Sequence, residues 1–541
     1  MIYPFLLAVY PILGLFAQNS TQVPYRDLIM PVFVALAGTL AIWLVVTALL
    51  GSASRAGVFT ALGLVLFYTS GRFPQFANAF LYELSWYWVV TDVNLPPRPV
   101  FLAAIFAFAA LGVFLASRLK HAGSWTQALN LFALVLVMFP VGQIVWTKPL
   151  SGSPQNTFPA AFPLDLRTPN RPDIYYIILD GYARSDVMRE LFNFDNSGFL
   201  DRLRHKGFYL ARWSTSNYCQ TALSLCSSLN LDYLGELVQG SGNDQTILHE
   251  LIARNRLAAT LRPLGYRFIT FSTGFEPSDV TDSDRYLSPY YQFTEFQRML
   301  IDQTPAWAFL SLADARDMFT QARDRTLFLL DRLPRVAEDP RPTVTLAHIL
   351  CPHPPFLFGE KGEDISRRDE GYYLSDGCRY QGDTADPQVY VRSYRDQAIY
   401  ITRRIEQVID QILRSSPEPP LVIVQADHGS GLRLVPESKE KTDLHERMSI
   451  LNAYYFPDRN YRALYPGITP VNSFRVVLNT YFDAKLPLLP DRNYFSTWSH
   501  PLEFTEVTSA VRAPADESSE QADLVNGPAP EASLTETPAT P

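Results

Sequence analysis

The sequence has no surplus of positive charge. Its 541 residues include 46 lysines and arginines against 54 aspartates and glutamates, so the formal net charge is −8. Proteins that bind nucleic acid usually carry a basic bias that neutralises phosphates, and this composition has none. We therefore expect no nucleic-acid partner. The length allows several domains with large cores.

Cysteine is scarce, and it first appears at position 219. The four cysteines allow three disulfide pairings, which the sequence leaves open. An oxidising compartment would permit such bonds. Two cysteines seven residues apart in one regular helix are separated by a rise of about 10 Å, so the first two could pair only if the first precedes the helix. The four are Cys219, Cys226, Cys351 and Cys378.

Charged residues are also scarce in long stretches before Trp146. A helix that crosses a bilayer needs about 20 mostly apolar residues. Five segments approach or reach that length, and a further aromatic stretch, 76–90, could span the membrane or lie at its surface. The five predicted spans are 3–17, 31–50, 56–69, 100–116 and 129–146.

The basic residues between these spans predict the orientation. Arg55 follows the second span, and Arg118, Lys120 and His121 follow the fourth. By the positive-inside rule these loops face the cytoplasm, so the part after the fifth span is extracytoplasmic. A cleaved signal peptide is the alternative for 1–17, but that segment lacks a basic start and is followed by more spans. We expect a multi-pass protein of the inner (plasma) membrane with a periplasmic domain.

Composition divides the chain into four parts. Residues 1–150 form the predicted α-helical transmembrane domain. Residues 151–171, rich in proline, serine and asparagine, are a predicted linker. Residues 172–490 have the mixed pattern of a soluble domain, and 491–541 are a predicted polar, largely disordered tail with few large apolar residues near the end.

The soluble part alternates strand and helix patterns. Short aromatic or aliphatic runs at 174–179, 266–271 and 343–350 alternate with amphipathic segments at 246–261 and 394–413. This order is typical of an α/β domain with a mainly parallel sheet.

One of the predicted strands leads to an acid and an imidazole. Residues 421–429 read Leu-Val-Ile-Val-Gln-Ala-Asp-His-Gly, an apolar run that ends at Asp427 and His428. In open α/β sheets, ligands bind beyond the carboxyl ends of strands. A polar turn is the alternative interpretation for an isolated Asp-His-Gly.

Two other predicted strands end in a similar way. The strand 174–179 ends at Asp180, which alone would more often be a turn residue or a helix cap. The strand 343–350 leads to His353, which is held between two prolines and could donate a proton or contact phosphate. His348 near the end of this strand could contact a substrate or be a core histidine.

Two further residues are candidates because of their surroundings. Thr221 is predicted to begin a helix with Leu223, Cys226 and Leu229 on one face, where free N–H groups can hold an oxyanion. The alternative is that Thr221 is only an N-cap. His445, at the end of a polar loop, could reach a substrate or simply be solvated.

Together, Asp180, Asp427, His428 and Thr221 form an oxygen-rich set of ligands with one imidazole. Such a set suits one divalent metal ion, Zn²⁺ or Mn²⁺ better than Mg²⁺. A metal ion next to a threonine hydroxyl would lower its pKa and make it a nucleophile.

These residues resemble the alkaline phosphatase and sulfatase superfamily, in particular the membrane-anchored branch of lipoteichoic acid synthases and lipid A phosphoethanolamine transferases. The resemblance covers about 173–457 and depends on Asp180, the Cys-Gln-Thr-Ala-Leu-Ser-Leu-Cys stretch around Thr221, His348 with His353, and Asp427-His428-Gly429. It implies a sulfatase-like catalytic domain on five helices.

The resemblance also implies roles. Thr221 would be the nucleophile and a metal ligand, Asp180, Asp427 and His428 would complete the metal shell, and His353 would contact the substrate. Asp180 stands where the branch usually has glutamate, which shortens the reach to the metal.

The sulfatase pattern is incomplete. The stretch after Cys219 lacks the proline and arginine of Cys-X-Pro-X-Arg, and Asp180 is followed by glycine rather than a second aspartate. We therefore expect transfer of a phosphoryl group from a phosphodiester, with a phospholipid donor and an envelope glycan or lipid acceptor. The alternatives are a sulfatase-like phosphodiesterase or sulfuric ester hydrolase, and a non-catalytic membrane sensor or assembly protein that retains the fold.

Overall fold

The computed structural model describes residues 1–20, 23, 25–70, 122–147, 159–164, 171–289, 294–304, 317–367, 372, 374, 376 and 386–511. Several predictions therefore lie outside the described residues. They concern the span 100–116, the aromatic stretch 76–90, the basic loop after the fourth span, Cys378 and the tail from residue 512.

The described residues of the amino-terminal part are mostly helical. Among them, two helices are long and apolar enough to cross a membrane, and two apolar helices are shorter. The predicted count of five spans is not confirmed. The long helices carry large apolar side chains on their exposed faces, such as Phe33 and Phe139. The four helices are α1 (Tyr3–Gln18), α2 (Arg26–Leu50), α3 (Ala53–Ser70) and α4 (Thr126–Thr147).

The strands that follow belong to two sheets. They are β1 (Ile174–Leu179), β2 (Tyr209–Leu210), β3 (Arg267–Phe271), β4 (Arg285–Leu287), β5 (Thr343–Ile349), β6 (Leu421–Gln425), β7 (Asn452–Tyr455), β8 (Tyr494–Phe495) and β9 (Thr505–Glu506). The last two form a separate antiparallel pair.

The helices of this part are mostly short. They are α5 (Ser185–Phe192), α6 (Ser197–Lys206), α7 (Thr221–Asn230), α8 (Leu234–Leu237), α9 (Thr246–Ala253), α10 (Arg256–Leu261), α11 (Glu295–Asp302), α12 (Met318–Arg332), α13 (Pro387–Ser415), α14 (Leu444–Met448), α15 (Pro470–Phe482) and α16 (Thr508–Val511).

The main sheet is mainly parallel, as predicted. Its strand order is β2-β7-β6-β1-β5-β3-β4. The strands from β6 to β4 pair in parallel, and β7 and β2 extend the β6 edge in antiparallel pairing. Because β1 lies between β6 and β5, the carboxyl ends of these three strands meet at one edge of the sheet.

Alternate residues of β1 belong to two hydrophobic cores. Tyr175, Ile177 and Leu179 pack on the face that α13 covers. The intervening residues, Tyr176 among them, pack on the opposite face. All six side chains of β1 are buried. A strand buried on both faces reads as a continuous apolar run, which is why the sequence predicts it.

Two predicted boundaries differ from the structure. The single helix expected over 246–261 is interrupted, because the Asn255 side chain accepts from Ala258 N and donates to Ile252 O, which caps α10 and closes the turn after α9. The predicted disordered tail begins at residue 491. Phe495, Val507 and Val511 are buried in one cluster, so packed structure continues beyond that residue.

We predict that Gly429→Ala destabilises the protein strongly. A Cβ at Gly429 would lie 2.0 Å from the Glu446 carbonyl oxygen and 2.9 Å from that of Ser449, and neither backbone atom can move without displacing α14. We expect a loss of about 3 kcal/mol, seen as a lower midpoint of thermal unfolding of the full chain in detergent.

Gly235→Ala is the matched control. No atom lies within 4 Å of its added Cβ, and the residue is in α8, where alanine is favoured over glycine. The midpoint should stay the same or rise slightly. Equal losses in both variants would contradict the steric argument.

Candidate active site

The site lies where β6, β1 and β5 end. Asp180 directly follows β1, and Asp427 and His428 follow β6. His348 lies on β5 opposite Ile178. Asp180, His348, Asp427 and His428 are all at most 3% exposed. The parallel register thus brings together residues that are far apart in sequence.

The donor atoms of these side chains are closely spaced. His348 Nε2 is 3.2 Å from Asp180 Oδ2, and His428 Nε2 is 3.6 Å from Asp180 Oδ1. His428 Nε2 is also 3.3 Å from Asp427 Oδ2 and 3.0 Å from Thr221 Oγ1. The structure therefore places Thr221 in contact with His428, which in turn lies close to Asp180 and Asp427.

Hydrogen bonds to the atoms that face away from the site fix the orientation of the His428 and Asp427 side chains. The carbonyl of Gly429 can only accept, so His428 Nδ1 donates to it over 2.8 Å. In the neutral ring, Nε2 then presents a lone pair to Thr221 and the carboxylates. Asp427 Oδ1 accepts from Gly181 N at 3.0 Å, which leaves Oδ2 facing the site.

The residues fit a divalent metal ion. Asp180 Oδ1, Asp427 Oδ2 and His348 Nε2 are buried and accept or donate no hydrogen bond in the described part of the chain. Ligand atoms of these three residues lie within 4.8 Å of one another. Ligands about 2.0–2.1 Å from one tetrahedral ion would be about 3.3 Å apart. Convergent acceptor atoms at such spacings are stabilised by a cation.

Thr221 is the first residue of α7. Gln220 precedes it in an extended conformation and makes no side-chain cap, and the first turn contains no acidic residue. The free N–H groups of this turn, together with the positive end of the helix dipole, favour an anion beside the threonine hydroxyl.

His353 is close to this group and carries a positive charge at neutral pH. Its ring centroid is 6.1 Å from that of His428, and its backbone N–H donates to the Asp180 carbonyl at 3.1 Å. Burial lowers the pKa of His353, but the carboxylates of Asp180 and Asp376 outweigh burial and raise the pKa to about 9.

Neighbouring histidines stabilise the negative charge of Asp180. Burial alone would raise the pKa of this carboxyl, but His353, His348 and His428 bring the pKa down to about 2. Asp180 is therefore ionised throughout the physiological range.

Two residues of this site were not predicted. Asp376 Oδ1 is 3.0 Å from His353 Nε2, and both of its oxygens bind the guanidinium of Arg447 at 3.0 and 2.9 Å. Arg447 is 1% exposed. Burial would raise the pKa of Asp376, but Arg447 and His353 hold it well below its usual range. Asp376 belongs to a charged stretch that the sequence analysis does not assign to the site.

Arg447 also bonds to two backbone segments next to the site. Its Nε donates to the Cys219 carbonyl at 2.8 Å, two residues before Thr221, and Nη1 lies 3.5 Å from the carbonyl of Gly429. The guanidinium therefore ties the start of α7, the turn after β6 and Asp376 together. In the sequence, the only indication that Arg447 has a structural role is its position next to the apolar Met448.

His348 and His445 occupy different surroundings. His348 faces Asp180 and belongs to the group that could hold a metal, although the sequence analysis gave it only as a substrate contact or core residue. His445 Nε2 pairs with Asp186 Oδ2 at 3.1 Å. Its contact with a substrate stays a prediction.

The described cysteines are free thiols. Cys219 lies before α7 and Cys226 within it, so the condition for pairing is met, but no disulfide joins any two of Cys219, Cys226 and Cys351. Burial raises the pKa of each thiol. These side chains therefore behave as buried, unreactive groups.

No protein-family model matches the chain, and no curated protein matches it. Among solved structures, the chain is similar to the C-terminal periplasmic domain of EcEptC from Escherichia coli in complex with Zn. The identity is 11% and the TM-score 0.43, over 64% of this chain and 96% of that one.

Two other solved structures are of related kinds. Lipooligosaccharide phosphoethanolamine transferase A (EptA) from Neisseria meningitidis, an integral membrane protein, is 11% identical with a TM-score of 0.38, over 88% of this chain and 95% of that one. The 2-O GAG sulfatase BT1596 is 12% identical with a TM-score of 0.38, over 61% and 74%. These are the kinds of protein that the motifs resemble.

We predict that Arg447→Met is strongly destabilising. The substitution removes a buried cation and leaves Asp376 without its bidentate partner, which costs about 3–5 kcal/mol. Thermal unfolding of the full chain in detergent would measure the loss.

Arg433→Met is the control. Its side chain is 57% exposed and pairs with Asp443 at 3.1 Å. Exposed ion pairs contribute about 0–1 kcal/mol. A loss in Arg447→Met as small as that in Arg433→Met would show that the buried pair does not organise the site.

Proposed function

We propose that the chain is a membrane-anchored, metal-dependent phosphoryl-group transferase that uses Thr221 as its nucleophile. The observation that carries the proposal is the 3.0 Å contact between Thr221 Oγ1 and His428 Nε2, at the start of a helix and beside two buried carboxylates. A hydroxyl among these groups is equipped to attack an anionic ester, because charge that develops near it meets N–H groups and a cation.

Four residues would hold one divalent ion. Asp180, Asp427 and His428 supply the charged and imidazole ligands, and the hydroxyl oxygen of Thr221 is the fourth ligand. His348 lies within reach of the same centre. When bound, the ion would lower the pKa of the threonine hydroxyl and neutralise charge on the attacked phosphate. Zn²⁺ or Mn²⁺ suits this ligand set better than Mg²⁺.

The first step forms a bond between Thr221 Oγ and phosphorus and breaks the bond from phosphorus to the leaving alcohol oxygen. The hydroxyl proton of Thr221 passes to solvent water during the attack. His353, whose pKa is raised by the carboxylates of Asp180 and Asp376, would stabilise negative charge on the leaving oxygen. Its two ring N–H groups already donate to the Pro354 carbonyl and to Asp376, so the leaving oxygen takes up a proton from the solvent. The product of this step is a phosphothreonine diester that retains the headgroup.

The second step releases the group from Thr221. The hydroxyl of an acceptor attacks phosphorus, the bond to Thr221 Oγ breaks, and the threonine regains a proton. The apolar helices at the amino terminus would hold the domain next to the bilayer. The local concentration of a phospholipid donor is then high, which favours a donor of this class and an envelope glycan or lipid as acceptor. Catalysis would occur in the part after residue 172, on the periplasmic side of the inner membrane.

Mass spectrometry tests the nucleophile. The full chain, loaded with Zn²⁺ or Mn²⁺ and incubated with phospholipids labelled in the headgroup, should gain the mass of the headgroup phosphate on Thr221. Thr221→Ala should lose the adduct and reduce turnover by about 10³-fold or more. Thr221→Ser should keep the adduct because it keeps a hydroxyl at the same position.

Ser228→Ala is the matched control, because Ser228 is a buried hydroxyl of the same helix that donates to the Ser224 carbonyl. Its adduct and turnover should stay within a few-fold of the wild type. Turnover that persists in Thr221→Ala would refute the assignment, whatever the state of the metal.

A further inference from the structure

One helix of the soluble part packs directly on the membrane helices. Phe296 and Leu300, one turn apart on α11, are 1% and 8% exposed. They belong to one apolar cluster with residues of α1, α2 and α4. The ring of Phe296 stands edge-on to the ring of Phe16, and their centroids are 6.0 Å apart. The helix α11 therefore connects the two parts of the chain.

The stability of α11 depends on this docking contact. The helix has eight residues, and helices shorter than about 12–15 residues are marginal in water on their own. The buried side chains that surround Phe296 and Leu300 in the cluster all belong to the amino-terminal part. Hydrogen exchange of the α11 amides therefore reports whether the soluble part is docked on the membrane helices.

A polar contact joins the same two parts of the chain. Arg26, the first residue of α2, hydrogen-bonds through its guanidinium to Nε2 of His249 in α9. His249 is 5% exposed. The predicted topology agrees with this contact, because Arg55 after the second span is cytoplasmic and the start of α2 is therefore extracytoplasmic, like the soluble part.

The hydrogen-bond partners of His249 require a neutral ring. Its Nδ1 is 2.8 Å from the Glu276 carbonyl, which can only accept, so Nδ1 carries the proton. In the neutral ring, Nε2 then offers a lone pair to Arg26, which can only donate. Protonation would place an N–H of one cation against the N–H groups of another. The contact would then change from attraction to repulsion.

The surroundings of His249 favour the neutral ring. Arg26 faces it from α2, and Asp282 lies 4.0 Å from the same guanidinium. Glu250 follows it in α9 and is exposed, and α7, which also packs on α9, contains no charged residue. Burial and Arg26 lower the pKa of His249, although the Glu276 carbonyl and Asp282 act in the opposite direction.

The turn that His249 contacts also reaches the candidate active site. Glu276 and Ser278 belong to one 3₁₀ turn. Ser278 Oγ is 2.8 Å from His348 Nδ1, and the other ring nitrogen of His348 faces Asp180. A change at the docking contact therefore acts on a turn that supports a residue of the candidate site.

We propose that His249 is a proton-sensitive contact between the soluble part and the membrane helices, which stabilises docking while the ring is neutral and weakens docking when the ring is protonated. A released ring has an ordinary pKa of about 6.5. The pKa of the docked ring is lower, so docking is strongest above about pH 6.5 and weakens as the pH falls towards the pKa of the docked ring.

Hydrogen exchange of the full chain in detergent, followed by mass spectrometry, tests the proposal. Exchange of the α11 amides is compared at about pH 7.5 and about pH 5.5, after correction for the intrinsic pH dependence of exchange. A released imidazole is about 90% protonated at the lower pH, so we expect α11 to exchange about tenfold faster there. The buried strand β6 should stay protected at both pH values. An unchanged rate in α11, or faster exchange in β6 as well, would overturn the proposal.

Substitutions assign the effect to His249. His249→Gln keeps an acceptor for Arg26 but takes up no proton, so α11 should exchange slowly at both pH values. Arg26→Gln removes the cationic partner of the docked ring and should make α11 exchange several-fold faster at about pH 7.5. His205→Gln, at an exposed histidine of α6, is the matched control and should keep the wild-type pH dependence. A wild-type pH dependence in His249→Gln, or unchanged exchange in Arg26→Gln, would overturn the proposal.

The pH dependence of docking is independent of the candidate nucleophile. Thr221→Ala should show the same change in α11 exchange as the wild type, because the Thr221 hydroxyl contacts His428 and not His249. A missing adduct on Thr221 would therefore refute the nucleophile and leave the docking contact standing. Loss of the pH dependence in Thr221→Ala would overturn the role of His249.

Discussion

Two buried carboxylates, Asp180 and Asp427, both lie next to the imidazole of His428. Their two negative charges must be compensated inside the protein, and this requirement explains the arrangement of the residues around them. His428 Nε2 is 3.6 Å from an oxygen of one and 3.3 Å from an oxygen of the other. Like charges buried together are unstable unless positive charge compensates them. Positive charge reaches this region as the imidazolium of His353, and the spacing of the ligand atoms suits a divalent ion between them.

A second layer of charge supports the first. Asp376 forms an ion pair with the ring of His353, and Arg447 forms an ion pair with Asp376. Arg447 also donates a hydrogen bond to the backbone before Thr221. The start of α7 at Thr221, the ring of His353 and the turn at Gly429 thus depend on one buried guanidinium. The parallel pairing of β1 with β5 and β6 supplies the other half of the positioning, because it fixes the strand ends from which the acids project.

Asp180, Asp427, His428 and Thr221 could be predicted because each follows a local pattern, an apolar strand or the start of a helix. Parallel strand ends meet at one edge, so local patterns imply a shared site. Arg447 and Asp376 could not be predicted, because their contact joins irregular segments with no periodicity. The break at Asn255 was missed for a related reason: the apolar pattern runs through it, and one side chain's hydrogen bonds decide the turn.

We propose that the buried acids hold a metal ion beside the Thr221 hydroxyl. Anomalous diffraction from crystals of the full chain grown with Mn²⁺ or Zn²⁺ would locate this ion. We expect one strong peak enclosed by Asp180, Asp427 and His428 and next to the Thr221 hydroxyl. A metal-loaded crystal with no peak there, or with the ion bound only by residues elsewhere, would contradict it.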